Sequence, residues 1–139
     1  LYDQALKQSH PDRLYNLKIY NNLAILKAEK GHYSEAKALL KQALNIASSE
    51  GDRYKAARML YMIANVDSIE GNYQAAVFGY QKAIAMVSDE DAFFGGLGYA
   101  YIMLGDRDNA MLALRKALRM NPENENARHN LSLMLGGGM

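Results

Sequence analysis

A glycine-centred break recurs along the chain and dictates most of what it can fold into. Between Asn22 and Leu44 apolar residues recur at helical spacing on both sides of Gly31, with Leu23, Ile25 and Leu26 before it and Ala36, Leu39, Leu40, Ala43 and Leu44 after it. Two amphipathic helices joined by a tight turn satisfy that pattern. The grouping then returns. Gly31-His32-Tyr33 is followed by Ala36 and Ala43-Leu44, Gly71-Asn72-Tyr73 by Ala76 and Ala83-Ile84, and Gly105-Asp106-Arg107 by Ala110 and Ala117-Leu118. The glycines are 40 residues apart from 31 to 71 and 34 apart from 71 to 105, a period that marks a helical-repeat array. A helix pair of this size cannot bury its apolar side alone, so each must stack on the next.

With these residues in place the chain resembles tetratricopeptide-repeat (TPR) proteins. That family's pattern has a small residue in the middle of helix A, glycine before the turn, tyrosine after it, and small residues at fixed offsets in helix B. Ala24, Gly31, Tyr33, Ala36 and Ala43 hold these slots first, then Ala64, Gly71, Tyr73, Ala76 and Ala83. The third set is Gly98, Tyr101, Gly105, Ala110, Ala117 and Pro122, with Arg107 departing at the tyrosine slot. The longer first repeat, with Asn21-Asn22-Leu23-Ala24 ahead of Gly31-His32-Tyr33, resembles the kinesin-light-chain type in repeat form only. The resemblance covers nearly the whole chain and implies an all-α fold, a right-handed α-solenoid (α-α superhelix) forming one domain over residues 1–139.

Composition narrows the function classes. Half of the 139 residues are hydrophobic, enough for a continuous core, yet no stretch approaches the roughly 18 consecutive apolar residues of a membrane span, so a soluble domain is expected. A formal charge of +1 argues against an electrostatic grip on nucleic acid. The absence of cysteine removes disulfide and thiolate chemistry and suits the cytoplasm and a bacterial periplasm equally.

In chain order, Leu1 to Ser9 carries Tyr2, Ala5 and Leu6 at packing positions before the stop His10-Pro11, and residues 1–10 are expected to be a lone helix B. The start at Leu1, without an initiator Met, leaves room upstream for a targeting signal or further repeats. Repeats are expected over residues 12–49, 52–87 and 91–120, with a capping helix over 124–135 and a loose tail over 136–139. In the first helix Leu14, Leu17, Tyr20, Leu23, Ala24 and Lys27 share a face; Lys27 stands where the family carries an aromatic, and its stem can lie along the core. Gly51 is expected at positive φ with Asp52 capping the next helix.

The resemblance also implies that helix A surfaces line a concave groove that binds peptides or partner helices. Its offsets fall on Lys18, Asn21, Ile25, Ala28 and Glu29, on Arg58, Tyr61, Met62, Asn65, Ser68 and Ile69, and on Gly95, Gly96, Tyr99, Ile102 and Met103. The terminal helix adds Asn126, His129, Asn130 and Leu133. Members that clamp a chaperone's terminal carboxylate use Lys, Asn and Arg there. The corresponding slots hold Asn21, Ile25, Met62, Ala92 and Gly96, so that clamp is missing. The expected partner-binding residues are Asn21, Arg58, Tyr61, Met62, Asn65, Tyr99, Met103 and His129, an apolar, adaptable groove with polar anchors. The competing reading packs several of them between helices.

Gly95-Gly96-Leu97-Gly98 is unusual, because each glycine inside a helix costs about 1 kcal/mol relative to alanine. Gly98 fits the family's small slot. Gly95 and Gly96 either leave room for a ligand side chain or pack tightly between repeats against Phe93 or Phe94. Neither a nucleophile motif nor metal-ligand spacing appears around His10, His32 and His129, so no catalytic residue, metal or cofactor is expected. Glu29, Asp67 and Glu70 are expected to be solvated on helix surfaces, and Lys37, Lys41, Lys82, Arg115, Lys116 and Arg119 on an outward face. The chain reads as a non-enzymatic scaffold or adaptor for a protein or peptide partner. The alternative is a homo-oligomerisation module using open repeat ends, with Leu131, Leu133, Met134 and Leu135 around the last helix. A third reading makes the chain a regulator of an enzymatic domain elsewhere in a longer protein.

Overall fold

The computed structural model describes the backbone of residues 13–136 and the side chains of residues 19–136. Within them the helices α1 (Arg13–Glu29), α2 (Tyr33–Ser49), α3 (Arg53–Glu70), α4 (Tyr73–Met86), α5 (Asp91–Leu104), α6 (Arg107–Met120) and α7 (Glu125–Gly136) follow one another. Each packs chiefly on its sequence neighbours, and no strand occurs among the described residues. The result is an all-α solenoid of helix-turn-helix pairs, α1/α2, α3/α4 and α5/α6, closed by α7. The lone helix expected over residues 1–10 and residues 137–139 of the expected tail lie outside the described residues; Gly136, expected in that tail, is the last residue of α7.

Local chemistry sets where the helices stop. Gly71, at φ 94°, takes the left-handed conformation that ends α3, and the next amide, of Asn72, donates to the carbonyl of Asp67 at 2.8 Å. The same closure recurs from His32 to Lys27, Asp52 to Ala47 and Asp106 to Tyr101, at 2.8, 3.0 and 2.9 Å. Asp52 then starts α3 by accepting from the Lys55 amide, and Asp106 starts α6 by accepting from that of Asn109.

Small residues at the repeat slots let the helices approach. Ala36, Ala76 and Ala110 are fully buried, as are Ala43, Ala83 and Ala117. Between α3 and α4 the approach is close enough that a Cβ on Gly79 would lie 2.9 Å from that of Ala64. Larger side chains fill the seams: Leu40 between the first helices, Phe93 and Tyr80 between the second and third repeats, Leu114 beneath α7.

Two expectations about surface charge are corrected. Asp67 is only 7% exposed, and Lys37 of α2 donates to it at 2.8 Å and to Glu70 at 3.1 Å. Lys37 is half-buried rather than outward. The physical reason is stacking: helix B of the first repeat covers a face of α3 that the period of α3 alone marks as polar. Lys27, by contrast, lies half-buried with its ammonium 3.6 Å from Glu35.

Candidate functional site

Helices α3, α5 and α7 are first helices of successive units and together bound a cavity of about 480 Å³. Tyr61, Asn65, Ser68 and Ile69 line it from α3, and Ala92, Gly95, Gly96 and Tyr99 from α5. Asn126 and Asn130 come from α7, Asn124 from the turn before it, and Tyr80 reaches in from α4. Among the described residues the lining contains no carboxylate, amine, guanidinium or imidazole. It therefore offers aromatic surface and neutral hydrogen-bonding groups, a poor setting for acid-base chemistry and a good one for binding. A second cavity, of about 380 Å³, adjoins it through Tyr99 and Asn130 and is lined otherwise by Ile102, Met103, Arg107, Leu133 and Met134.

Tyr80 is the organising side chain of the first cavity. Its ring is buried beside Tyr61 at 5.8 Å between centroids, and its hydroxyl donates to Asn65 Oδ1 at 2.5 Å. Room for that ring exists because residue 96 is glycine: a Cβ there would sit 2.6 Å from a Tyr80 ring carbon. Tight inter-repeat packing thus accounts for Gly96, but against Tyr80 of the preceding repeat, not Phe93 or Phe94. A Cβ on Gly95 would meet Asn124 only at ordinary contact distance, 3.5 Å, whereas one on Gly98 would come within 2.5 Å of Leu114. Ser68 Oγ is buried beside the Tyr80 hydroxyl, near enough to act on it but short of full hydrogen-bond geometry.

The structure brings together Tyr61, Asn65 and Tyr99 around the first cavity and places Met103 beside Tyr99 in the second. Tyr61 leans on Phe93 at 5.0 Å, so it is wall and core at once, whereas Tyr99 is 38% exposed and meets Tyr73 edge-on. Met62 packs partly against the first-repeat core, with its sulfur 4.0 Å from Asn65 Nδ2. Asn21 sits on α1 with a buried Oδ1 lacking a partner, Arg58 is half-buried on α3, and His129 is exposed on α7; none of these three lines either cavity. Tyr80 and Asn124 were missed by sequence reasoning. Both lie off the helix A offsets, and the available signal was a glycine pair opposite an aromatic of the preceding helix B.

Burial pushes the Tyr80 hydroxyl up to about 12, and the hydrogen bond to Asp67 holds the Lys37 ammonium above the usual lysine range. Both groups titrate higher in the folded protein than in the unfolded chain, so both contributions are complete below about pH 10 and disappear as pH climbs past it. For Tyr80 the loss amounts to on the order of 2 kcal/mol by about pH 12. Denaturant titrations across that window should show stability falling in the wild type, more shallowly in Tyr80→Phe and in Lys37→Met. Identical alkaline limbs in all three proteins would remove both groups as the cause.

A tetratricopeptide-repeat family model matches residues 15–89, across the first two helix pairs, and a second one matches residues 93–124. The chain belongs to the tetratricopeptide-repeat family. Among curated proteins none matches it by sequence. In fold this TPR chain is similar to MamA, at 23% identity and a TM-score of 0.73, with 99% of this chain and 74% of MamA covered. It is also similar to the first TPR of Spaghetti (RPAP3) bound to an HSP90 peptide, at 16% identity and a TM-score of 0.72, covering 87% of this chain and 91% of that one. An O-GlcNAc transferase of Thermobaculum terrenum is a third, at 19% identity and a TM-score of 0.75; the match covers 91% of this TPR chain but only 23% of the transferase. At such identities the likeness is one of fold. TPR domains are protein-interaction modules as a class, and no helix among the described residues is long and apolar enough to cross a membrane.

Proposed function

We propose that this TPR domain is a non-enzymatic scaffold that holds a segment of a partner protein in the groove bounded by α3, α5 and α7. The observation that supports it is the cavity of about 480 Å³ whose walls combine Tyr61 and Tyr99 with neutral amides. Tyr99 and Met103 supply adaptable apolar surface at its continuation, while Asn65 offers a polar anchor and Asn21, Arg58 and His129 lie further along the helix A surfaces. A TPR neighbour bound to an HSP90 peptide supports a peptide as the kind of partner. That peptide's terminal carboxylate is a poor candidate here, since Ile25, Met62, Ala92 and Gly96 replace donors of the clamp.

The deciding variant is Tyr99→Ala, because Tyr99 is exposed where Tyr61 is shared with the core. Peptides selected from a display library against the domain should bind the variant about tenfold or more weaker, with helicity unchanged. Loss of helicity in step with binding would make Tyr99 a core residue and remove the groove as the working surface.

Self-assembly is the second reading, and one observation favours it: Leu133 and Leu135 of α7 are 57% and 55% exposed. Light scattering over a concentration series separates the two. A mass constant near 15.5 kDa supports the groove, and a mass that climbs supports pairing through the exposed face of α7.

A further inference from the structure

The third repeat departs from the two before it at one slot, and that slot opens onto the second cavity. Tyr33 and Tyr73 are the first residues of α2 and α4, whereas Arg107 is the first residue of α6. Tyr73 meets Tyr99 edge-on. At 34 residues beyond each of these two stand Arg107 and Leu133, and both line the cavity of about 380 Å³. Where the earlier repeat sets two phenol rings together, this one sets a guanidinium beside an aliphatic side chain.

The guanidinium is mostly unspent. Its Nη2 donates to the Met134 carbonyl near the end of α7 at 3.1 Å, and among the described residues no carboxylate lies within ion-pairing distance of it. The neighbouring Asp106 carboxylate is turned to Asn109, accepting from its side chain at 2.8 Å. Arginine carries five N–H donors in a planar fork, so most of the fork is left for another acceptor. The surface beside it is apolar and open, with Met103 46% and Leu133 57% exposed and Tyr99 next to them. Among the described residues no acidic side chain lines either cavity. An unpaired cation at the rim of an apolar pocket is complemented by a carboxylate that stands beside a large apolar side chain; a basic ligand would be repelled there.

We infer that Arg107 selects the partner: the second cavity takes a large apolar side chain of the bound segment between Tyr99, Met103 and Leu133, while the Arg107 fork pairs with the side-chain carboxylate of an Asp or Glu close to it in sequence. This rests on the groove reading above and adds the chemistry of the segment that the groove takes. Capture of a chain terminus is a different arrangement, since it converges several donors on one carboxylate, and here a single fork stands at the rim. Arg107 is exposed, so the pair acts more on which segment binds and how fast it docks than on how tightly it is held.

The test uses short peptides selected from a display library against the intact domain and then made with acetylated and amidated ends. Selected sequences should carry Asp or Glu within a few residues of Leu, Ile, Met or Phe, and binding should survive the capping of both ends. Replacing that Glu by Gln in the peptide, which leaves the protein untouched, should weaken binding about fivefold, and the effect should shrink as salt is raised. Arg107→Gln in the protein should cost the same factor. The two changes together should cost no more than either alone, because each removes the same pair. Arg107→Glu should reverse the preference, binding the Lys version of the peptide better than the Glu version.

Binders insensitive to Tyr99→Ala would show that the groove reading is wrong, and the Arg107 pairing falls with it. Binders that weaken with Tyr99→Ala but are indifferent both to Arg107→Gln and to loss of the peptide carboxylate leave the groove standing and overturn the pairing. So do binders that need a free C-terminal carboxylate. Arg107→Gln that lowers the melting temperature while peptide affinity stays as in the wild type makes Arg107 an anchor of α7 alone and also overturns it. If the mass climbs with concentration and Arg107→Glu abolishes the climb, the pocket is filled by a second copy and not by an acidic partner segment. A library that yields no binder overturns both readings.

Discussion

Phe93→Ala is expected to cost about 3–5 kcal/mol of folding stability. The ring is fully buried and reaches from α5 across the seam between repeats, against Ala57 of α3 and Ala83 of α4 with Tyr61, Leu60 and Ile84 around it. Because Ala57 and Ala83 are already the smallest side chains that could stand there, neither can swing in to refill the void. A solenoid amplifies such a loss, since each repeat is stable only through its interface with the next. Urea titration should show the midpoint falling, with a broadened or stepwise transition if the stack separates at that seam. The tilted contact of Phe93 with Tyr61 adds a second consequence: the groove wall should loosen, and peptide binding should weaken even under conditions where the variant remains folded. A midpoint shift below about 1 kcal/mol would mean that the interface between the second and third repeats is not held by this ring.

Gly98→Ala and Gly95→Ala should move stability in opposite directions, although both replace a glycine by the better helix former within one turn of α5. At residue 98 the new Cβ would lie 2.5 Å from a Leu114 methyl, and Leu114 of α6 is fully buried, so relief requires an off-rotamer side chain or a shift of α6. Overpacking of this kind costs about 1–3 kcal/mol, more than the gain in helix propensity. At residue 95 the Cβ would only touch the Asn124 side chain at 3.5 Å, and the propensity gain of about 0.5–1 kcal/mol should show as a higher melting temperature. Thermal melts of the two single variants decide the matter. The same sign for both would mean that the close approach of α5 and α6 is not what keeps residue 98 glycine.

Much of the fold was legible because it is written in local and periodic terms. Spacing of apolar residues around Gly31, Gly71 and Gly105 specifies helix, turn, helix, and the turn chemistry is complete within six residues, as the bond from Asn72 back to Asp67 shows. The helix B alanines that repeat with the period, Ala36, Ala43, Ala76, Ala83, Ala110 and Ala117, have no exposed surface, for the reason that two helices can approach only where both carry little. For the candidate site, helix A offsets lead to Tyr61, Asn65 and Tyr99, which do share one cavity, and to Asn21, Arg58 and His129, which line neither cavity described here. An offset says which way a side chain leaves its helix. It does not say whether the neighbouring helix is near enough to make a pocket of it.

The sequence by itself determined the helical-repeat architecture, the turns, the small buried slots and the neutral balance of charge, since each depends on residues within one helix pair or on a period. Tertiary structure alone decided the rest. Asp67 is enclosed because α2 lies over it and brings Lys37 within 2.8 Å, across a gap of 30 residues. Tyr80, a helix B residue with no groove offset, lines the cavity because α5 offers it a glycine, and it engages Asn65 15 residues away. Such pairings arise where repeats stack, and stacking distance is set by side chains from both partners together, so no single helix carries the information.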